Sequence, residues 1–170
     1  MKHKPPVDIA LMADLLMNSS RMVATAESCT GGMIAAACTD LAGSSRWFER
    51  GFVTYSNAAK ADMLGVPDAL ITAHGAVSEP VARAMALGAV AHSRATVAVA
   101  VTGIAGPGGG SADKPVGTVW FGFALDGDCS SECQVFAGDR AAVRTATLQH
   151  ALSRLLELLQ ASSSKPLPGR

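Results

Sequence analysis

The sequence predicts an α/β protein, a single three-layer α/β/α sandwich with a mixed sheet, and three observations carry that prediction. The run TVAVAVT (Thr96 to Thr102) is continuously apolar and β-branched, as a strand covered on both faces would be. Segments of helical period alternate with short apolar runs along most of the chain, which suits helices on either side of a sheet. Near the end, VGTVWFGFAL and ECQVFA are separated by DGD, a hairpin signal that adds antiparallel strands to the sheet.

Each element has its own local reason. In VDIALMADLLMNSS, Ile9, Leu11, Met12, Leu15 and Leu16 recur at helical spacing, after Pro5 and Pro6 and before Asn18 and two serines. MVATAE (Met22 to Glu27) is short and apolar and reads as a buried strand. From Thr30 to Leu41 the chain is alanine-rich after two glycines, a composition suited to a helix lying close on a sheet. WFERGFVTYS alternates as a strand around Phe52 to Tyr55, and NAAKADMLG reads as a short helix ended by Gly65 and Pro67. SEPVARAMALGAVAHS opens with Ser78 as cap and Pro80 in the first turn. The last helix starts near Asp139 and carries Val143, Leu148, Leu152, Leu155, Leu156 and Leu159. Beyond it SSSKPLPGR (162–170) is polar with two prolines and reads as a disordered tail. No internal repeat is visible.

Bulk composition narrows the function classes. With 170 residues, 49% of them hydrophobic, the chain is long enough for one domain with one core, assigned to residues 7–161. Lys plus Arg equals Asp plus Glu at 14 each, so no field of one sign draws the chain to nucleic acid or an anionic membrane. Any anion site is therefore local. No apolar run approaches the roughly 18–20 residues needed to span a bilayer, and the N-terminus breaks at Pro5, Pro6 and Asp8 where a signal peptide would stay apolar. A cytoplasmic location is expected. Cys29, Cys38, Cys129 and Cys133 form no C-x-x-C and have no histidine at zinc-like spacing, so reduced thiols and no metal are expected.

Four clusters carry chemistry. In AESCTGG (Ala26 to Gly32), Ser28 stands where a predicted strand ends and a helix begins, with the helix N–H groups facing its hydroxyl. That placement serves a nucleophile and a plain N-cap equally well. Cys29 competes as nucleophile, because a thiol is intrinsically better and a helix N-terminus lowers its pKa. A cysteine enzyme needs a basic partner, yet His3, His74, His92 and His150 fall in no catalytic motif.

In TYSNAAK, Tyr55 at a strand end and Lys60 one turn into a helix would reach one cleft. A lysine kept neutral by burial can act as general base toward a serine, and a tyrosine hydroxyl can relay a proton; the alternative is a solvated surface lysine. Two templates fail against the spacing. An S-x-x-K motif needs lysine where Gly31 stands, and the tyrosine–lysine pair of short-chain dehydrogenases is four apart, not five.

VTGIAGPGGGSADKP follows a predicted strand, and such glycine-rich loops turn backbone N–H groups toward phosphates or oxyanions. No Walker A pattern passes through it, and a mobile surface loop is the plain alternative. In GDRAAVR, Arg140 and Arg144 are four apart on one face of the first turns of the last helix, where the macrodipole disfavours cations. A nearby anion would offset that cost; so would pairing with Asp139 or Glu132.

Together, TAESCTGG, GFVTYSNAAKADMLGV with HGAVSEPVA, VAVTGIAGPGGG…KPVGTVWFG and GDRAAVR resemble the C-terminal domain family of the competence-damage-inducible protein CinA. The resemblance runs from about Ile9 to Leu159. It implies a nicotinamide-nucleotide amidase: hydrolysis of nicotinamide mononucleotide to nicotinic acid mononucleotide and ammonia, in pyridine-nucleotide salvage and NAD metabolism, without a cofactor. Ser28 matches the family's nucleophile, and Tyr55 and Lys60 match its partners. Thr102, Gly103, Gly106 and Gly108 match a substrate-contacting loop, with Thr30 and Gly31 beside the nucleophile. Arg140 matches the basic position, and Glu27 is carried as a contact behind the site or to the ribose. The implied partner is a small nucleotide; separately, the surface of the alanine-rich helices could support a homodimer. Two-domain members add an N-terminal pyrophosphatase-like half for which this chain has no room. A nucleotide-binding module without turnover and a Cys29 hydrolase are the competing readings.

Overall fold

The structure is a computed structural model that describes residues 6–164. His3 and residues 165–170 of the predicted tail lie outside the described residues.

Among the described residues six α-helices and five strands follow in the order α1 (Ile9–Asn18), β1 (Val23–Glu27), α2 (Met33–Thr39), β2 (Phe48–Val53), α3 (Asn57–Leu64), α4 (Asp68–His74), α5 (Glu79–Ala91), β3 (Val97–Gly103), β4 (Thr118–Leu125), β5 (Asp128–Val135) and α6 (Arg140–Ser163). The strands form one sheet in the order β2-β1-β3-β4-β5. β1 runs parallel to β2 and β3, while β4 is antiparallel to both β3 and β5. The sheet is thus mixed and the fold class is the one read from sequence.

The alternation inside β3 builds the layers. Val97, Val99 and Val101 face α1, α2 and α6 and pack with Met12, Leu16, Ile34, Phe121, Leu155 and Leu159. Ala98 and Ala100 face the other way, with Ala24, Ala26, Phe52, Leu64 and Met85 on the side of α3, α4 and α5. The single core expected from composition is therefore two apolar layers with the sheet between them. Small side chains on the second face bring α5 very near the strands: a Cβ on Gly122 would stand 2.3 Å from the Ala82 carbonyl oxygen.

Several boundaries differ from the sequence reading, each for a local reason. β2 lies at Phe48–Val53 and ends two residues before Tyr55, because Ser56 already caps α3 through the Ala59 N–H. α2 begins at Met33 and not near Thr30, since Gly31 and Gly32 sit at φ +56° and +105°, outside right-handed helix. α4 was not expected; it places His74 at a helix end and not in a loop. β5 starts four residues earlier than ECQVFA suggests, because Asp126 and Gly127 both take positive φ and close a two-residue hairpin between Leu125 and Asp128. α6 continues to Ser163, into the stretch read as tail.

Candidate active site

The carboxyl ends of β1 and β3 lie side by side, pairing Glu27 with Val101. From β1 the chain next pairs outward to β2, and from β3 it pairs the other way to β4. Such a point of diverging connections leaves a crevice above the strand ends, the usual ligand position in open α/β sheets. A cleft of about 250 Å³ opens there, lined by Ser28, Cys29, Tyr55, Asn57, Lys60, Ala76, Val77, Thr102, Gly103, Ala105 and Arg140. A larger cavity, about 440 Å³, lies at the opposite sheet end around Phe123, Leu125, Asp126 and Leu158, and its lining contains no lysine, arginine or histidine. The smaller cleft is the one with a nucleophile beside a base.

Ser28 is the first residue after β1; its N–H donates to the Val101 carbonyl at 3.1 Å, and its own carbonyl accepts from the Gly31 N–H at 3.1 Å in a tight turn. Lys60, in the first turns of α3, is 1% exposed. Its Nζ donates to the Thr54 carbonyl at 3.1 Å and the Tyr55 carbonyl at 3.4 Å, and lies 3.3 Å from Ser28 Oγ. Carbonyl oxygens only accept, so two amine hydrogens are committed to them. When the amine is neutral, its lone pair is left for the Ser28 hydroxyl proton. Burial favours that neutral state by holding the Lys60 pKa below its ordinary value, and among the described residues it makes no ion pair with a carboxylate.

The helix end expected to face Ser28 is used by another group. Glu27, fully buried at the end of β1, accepts from the Ile34 and Ala35 N–H groups at 2.9 Å each and from the Thr30 hydroxyl at 2.6 Å. A carboxylate at the N-terminus of α2 satisfies orphan donors and suits the dipole. Glu27 and Thr30 therefore lie beneath the cleft and do not line it. Of the two readings of Glu27, a contact behind the site or one to the ribose, this placement agrees with the first.

Cys29 lines the cleft but is buried, and burial pushes its thiol up to about 11 despite the nearby cations Arg144 and Lys60. The expected lowering by a helix end is outweighed by burial, and the Glu27 charge adds to the rise. No histidine lines the cleft.

Tyr55 is 61% exposed and sits on the rim. Its carbonyl, not its phenol, touches Lys60; the phenol oxygen accepts from Arg140 at 3.1 Å. Arg140 also donates to the Gly106 carbonyl at 2.8 Å, which ties α6 to the glycine-rich loop. Thr102, which lines the cleft, donates its Oγ1 hydrogen to the Ala76 carbonyl at 2.8 Å. Gly103 has no room for a side chain: a Cβ there would meet Val119 at 2.7 Å and Cys29 Sγ at 3.2 Å. Gly106 meets the site through its carbonyl, Gly108 has open space around it and does not line the cleft, and Gly31 lies in the turn behind Ser28.

The two arginines pair with neither Asp139 nor Glu132. Asp139 caps α6 through the Ala142 N–H, and Glu132 is taken by His150 and Arg154. Arg144, one turn beyond Arg140, instead donates to the Cys29 and Thr30 carbonyls. Sequence reading had grouped it with Arg140 as an anion candidate. Asn57, exposed on the cleft wall, was missed; its place one turn ahead of Lys60 was the available signal.

Fold and cleft together define an open α/β protein with a buried lysine against a serine at the diverging strand ends. Within that class the chain belongs to the CinA C-terminal domain family, whose model matches residues 9–159. It is 59% identical over 136 residues to the nicotinamide-nucleotide amidohydrolase PncC of Escherichia coli, covering 78% of this chain and 81% of that protein. A Pseudomonas putida protein of the same name is 53% identical over 147 residues, covering 86% and 92%. The crystal structure of competence/damage inducible protein CihA from Agrobacterium tumefaciens superposes with a TM-score of 0.82 at 49% identity, covering 91% of this chain and 97% of that one. Among the described residues no helix is long and apolar enough to cross a membrane.

Proposed function

We propose that this protein is an amidohydrolase that converts nicotinamide mononucleotide to nicotinic acid mononucleotide and ammonia, with Ser28 as nucleophile and Lys60 as its general base. The contact between the buried Lys60 amine and Ser28 Oγ at 3.3 Å carries this reading. The activity named for its relatives in Escherichia coli and Pseudomonas putida supports the substrate.

The chemistry balances with the groups in the cleft. Neutral Lys60 takes the Ser28 hydroxyl proton as Oγ bonds to the carboxamide carbon, and negative charge moves to the carboxamide oxygen. The lysine, now an ammonium, returns that proton to the amide nitrogen; the C–N bond breaks and ammonia leaves. Water then gives a proton to Lys60 and attacks the acyl ester, and Ser28 regains its proton as the nicotinate is released. Tyr55 holds Arg140 at the rim through its phenol. Arg140 takes the 5′-phosphate, since it has no carboxylate partner among the described residues and stands at the positive end of α6. Thr102 and Gly103 line the same cleft as Lys60.

Ammonia release from nicotinamide mononucleotide is the direct measurement. Ser28→Ala is expected to lower kcat by at least about 10³-fold, as removal of a nucleophile does, while Cys29→Ser keeps substantial activity. The opposite pattern would make Cys29 the nucleophile. Saturable binding with no product from the unaltered protein would leave a binding module and overturn the reading.

A further inference from the structure

The carboxyl end of β3 carries a backbone donor that no protein group uses. In a strand the N–H and C=O of one residue point to the same neighbouring strand, and successive residues alternate between the two neighbours. Two hydrogen bonds fix that alternation here. The Ser28 N–H donates to the Val101 carbonyl at 3.1 Å, so Val101 is turned toward β1, and the Ile104 N–H donates to the Thr118 carbonyl at 2.9 Å, so Ile104 is turned toward β4. Gly103, two residues after Val101 and one before Ile104, is therefore turned toward β1. The next rung of the parallel ladder would run from its N–H to the Ser28 carbonyl. That rung is not formed, because the chain turns away after Ser28, whose carbonyl accepts from the Gly31 N–H at 3.1 Å. Among the described residues the Gly103 N–H has no acceptor.

Three features suit this donor to the reaction. Gly103 is half-buried and lines the cleft together with Ser28 and Cys29. Its position excludes a side chain, since a Cβ would stand 2.7 Å from Val119 Cγ2 and 3.2 Å from Cys29 Sγ, so a ligand can approach the bare backbone. The peptide is also held on both sides: Thr102 Oγ1 donates to the Ala76 carbonyl at 2.8 Å, and the Ile104 carbonyl accepts from the Gly117 N–H at 2.8 Å. A donor fixed before the substrate arrives needs no reorganisation when charge develops.

We infer that the Gly103 N–H is the oxyanion donor of this cleft. As Ser28 Oγ bonds to the carboxamide carbon, the carboxamide oxygen gains the negative charge and accepts a hydrogen bond from the Gly103 N–H, with no proton transferred between them. The inference rests on the amidase reading above, and it gives the end of β3 a catalytic part through its backbone.

Two measurements test it. Gly103→glycolic acid replaces the N–H by an ester oxygen at constant size, and Gly127→glycolic acid, at the exposed hairpin turn away from the cleft, is the control. With folding checked by circular dichroism, the Gly103 ester lowers kcat on nicotinamide mononucleotide by about 10²–10³-fold, the usual loss for one oxyanion donor. Its KM stays within about threefold, and the Gly127 ester keeps the native kcat. The second measurement uses the unaltered protein and amide NMR. The aldehyde analogue of nicotinamide mononucleotide adds to Ser28 Oγ as a hemiacetal, whose oxygen stands where the oxyanion would. The Gly103 amide proton then moves downfield as it gains an acceptor, the Gly127 amide does not move, and Ser28→Ala abolishes the shift. Should the Gly103 ester not fold, this resonance decides. Unchanged kcat, a loss residing in KM, an equal loss in the control, or a Gly103 amide unmoved in the adduct each overturns the inference while the amidase reading stands. Absence of ammonia release from the unaltered protein overturns the amidase reading, and the inference with it.

Discussion

Lys60 illustrates how one side chain acquires its chemistry from its surroundings. An exposed lysine would stay protonated through the neutral range; this one is 1% exposed, and burial lowers its pKa from 10.5. The reaction needs the neutral amine, so kcat/KM should rise with pH along an acid limb and level off. Because the pKa is lowered, the midpoint lies below 10.5. Lys60→Arg keeps a permanent charge, and its activity should stay at least about 10³-fold down across the whole range. An acid limb at or above 10.5, or one that persists unchanged in that variant, would remove Lys60 from the base role. Sequence inspection could name Lys60 and Ser28 but not their burial. It also placed Ser28 against the end of α2, where the structure has Glu27 accepting from Ile34 and Ala35. Any carboxylate next to that serine would have matched the motif equally well, and only packing shows which group reaches the helix.

At the scale of the element, the contrast between the two faces of β3 sets the thickness of each layer. Valines face α6, and alanines face α5. The same face of β4 presents Gly122, where a Cβ would lie 2.3 Å from the Ala82 backbone oxygen in α5. Neither partner can rotate away, so Gly122→Ala should cost about 1–3 kcal/mol by overpacking. Thermal unfolding would show it as a drop of about 2–4 °C for each kcal/mol in a domain of this size. Gly108, with nothing within 4 Å of the corresponding position, is the control, and its alanine variant should stay within about 0.5 kcal/mol. Equal melting temperatures for the two would refute the close approach of α5. The elements themselves were largely legible: α6 starts beside Asp139 and α3 ends at Gly65, where the sequence suggested. α4 escaped because its seven residues offer too few turns for a period to stand out.

Over the whole molecule, the cleft draws on segments far apart in sequence: the turn after β1, the α3 entry, the end of β3 and the start of α6. Ligand binding should therefore tighten all of them together. With Ser28→Ala to prevent turnover, nicotinamide mononucleotide at about 100 times its Kd should add about 2.7 kcal/mol of stability, or about 5–10 °C in melting temperature. No shift at saturating nucleotide would mean that the cleft does not take this ligand. What the sequence determined by itself is the alternation of elements, the mixed sheet and the identity of the serine, lysine and arginine motifs, because hydrophobic period and turn chemistry are local properties of the chain. Only the tertiary structure decided that Lys60 meets Ser28, that Glu27 serves the helix and not the cleft, and that Arg144 grips the turn while Arg140 stands at the rim. The lysine and arginine contacts span 32 to 115 residues and those of Glu27 only 7 and 8, but the geometry of all of them is set by how the strand ends diverge and the helices pack above them, which no local pattern encodes.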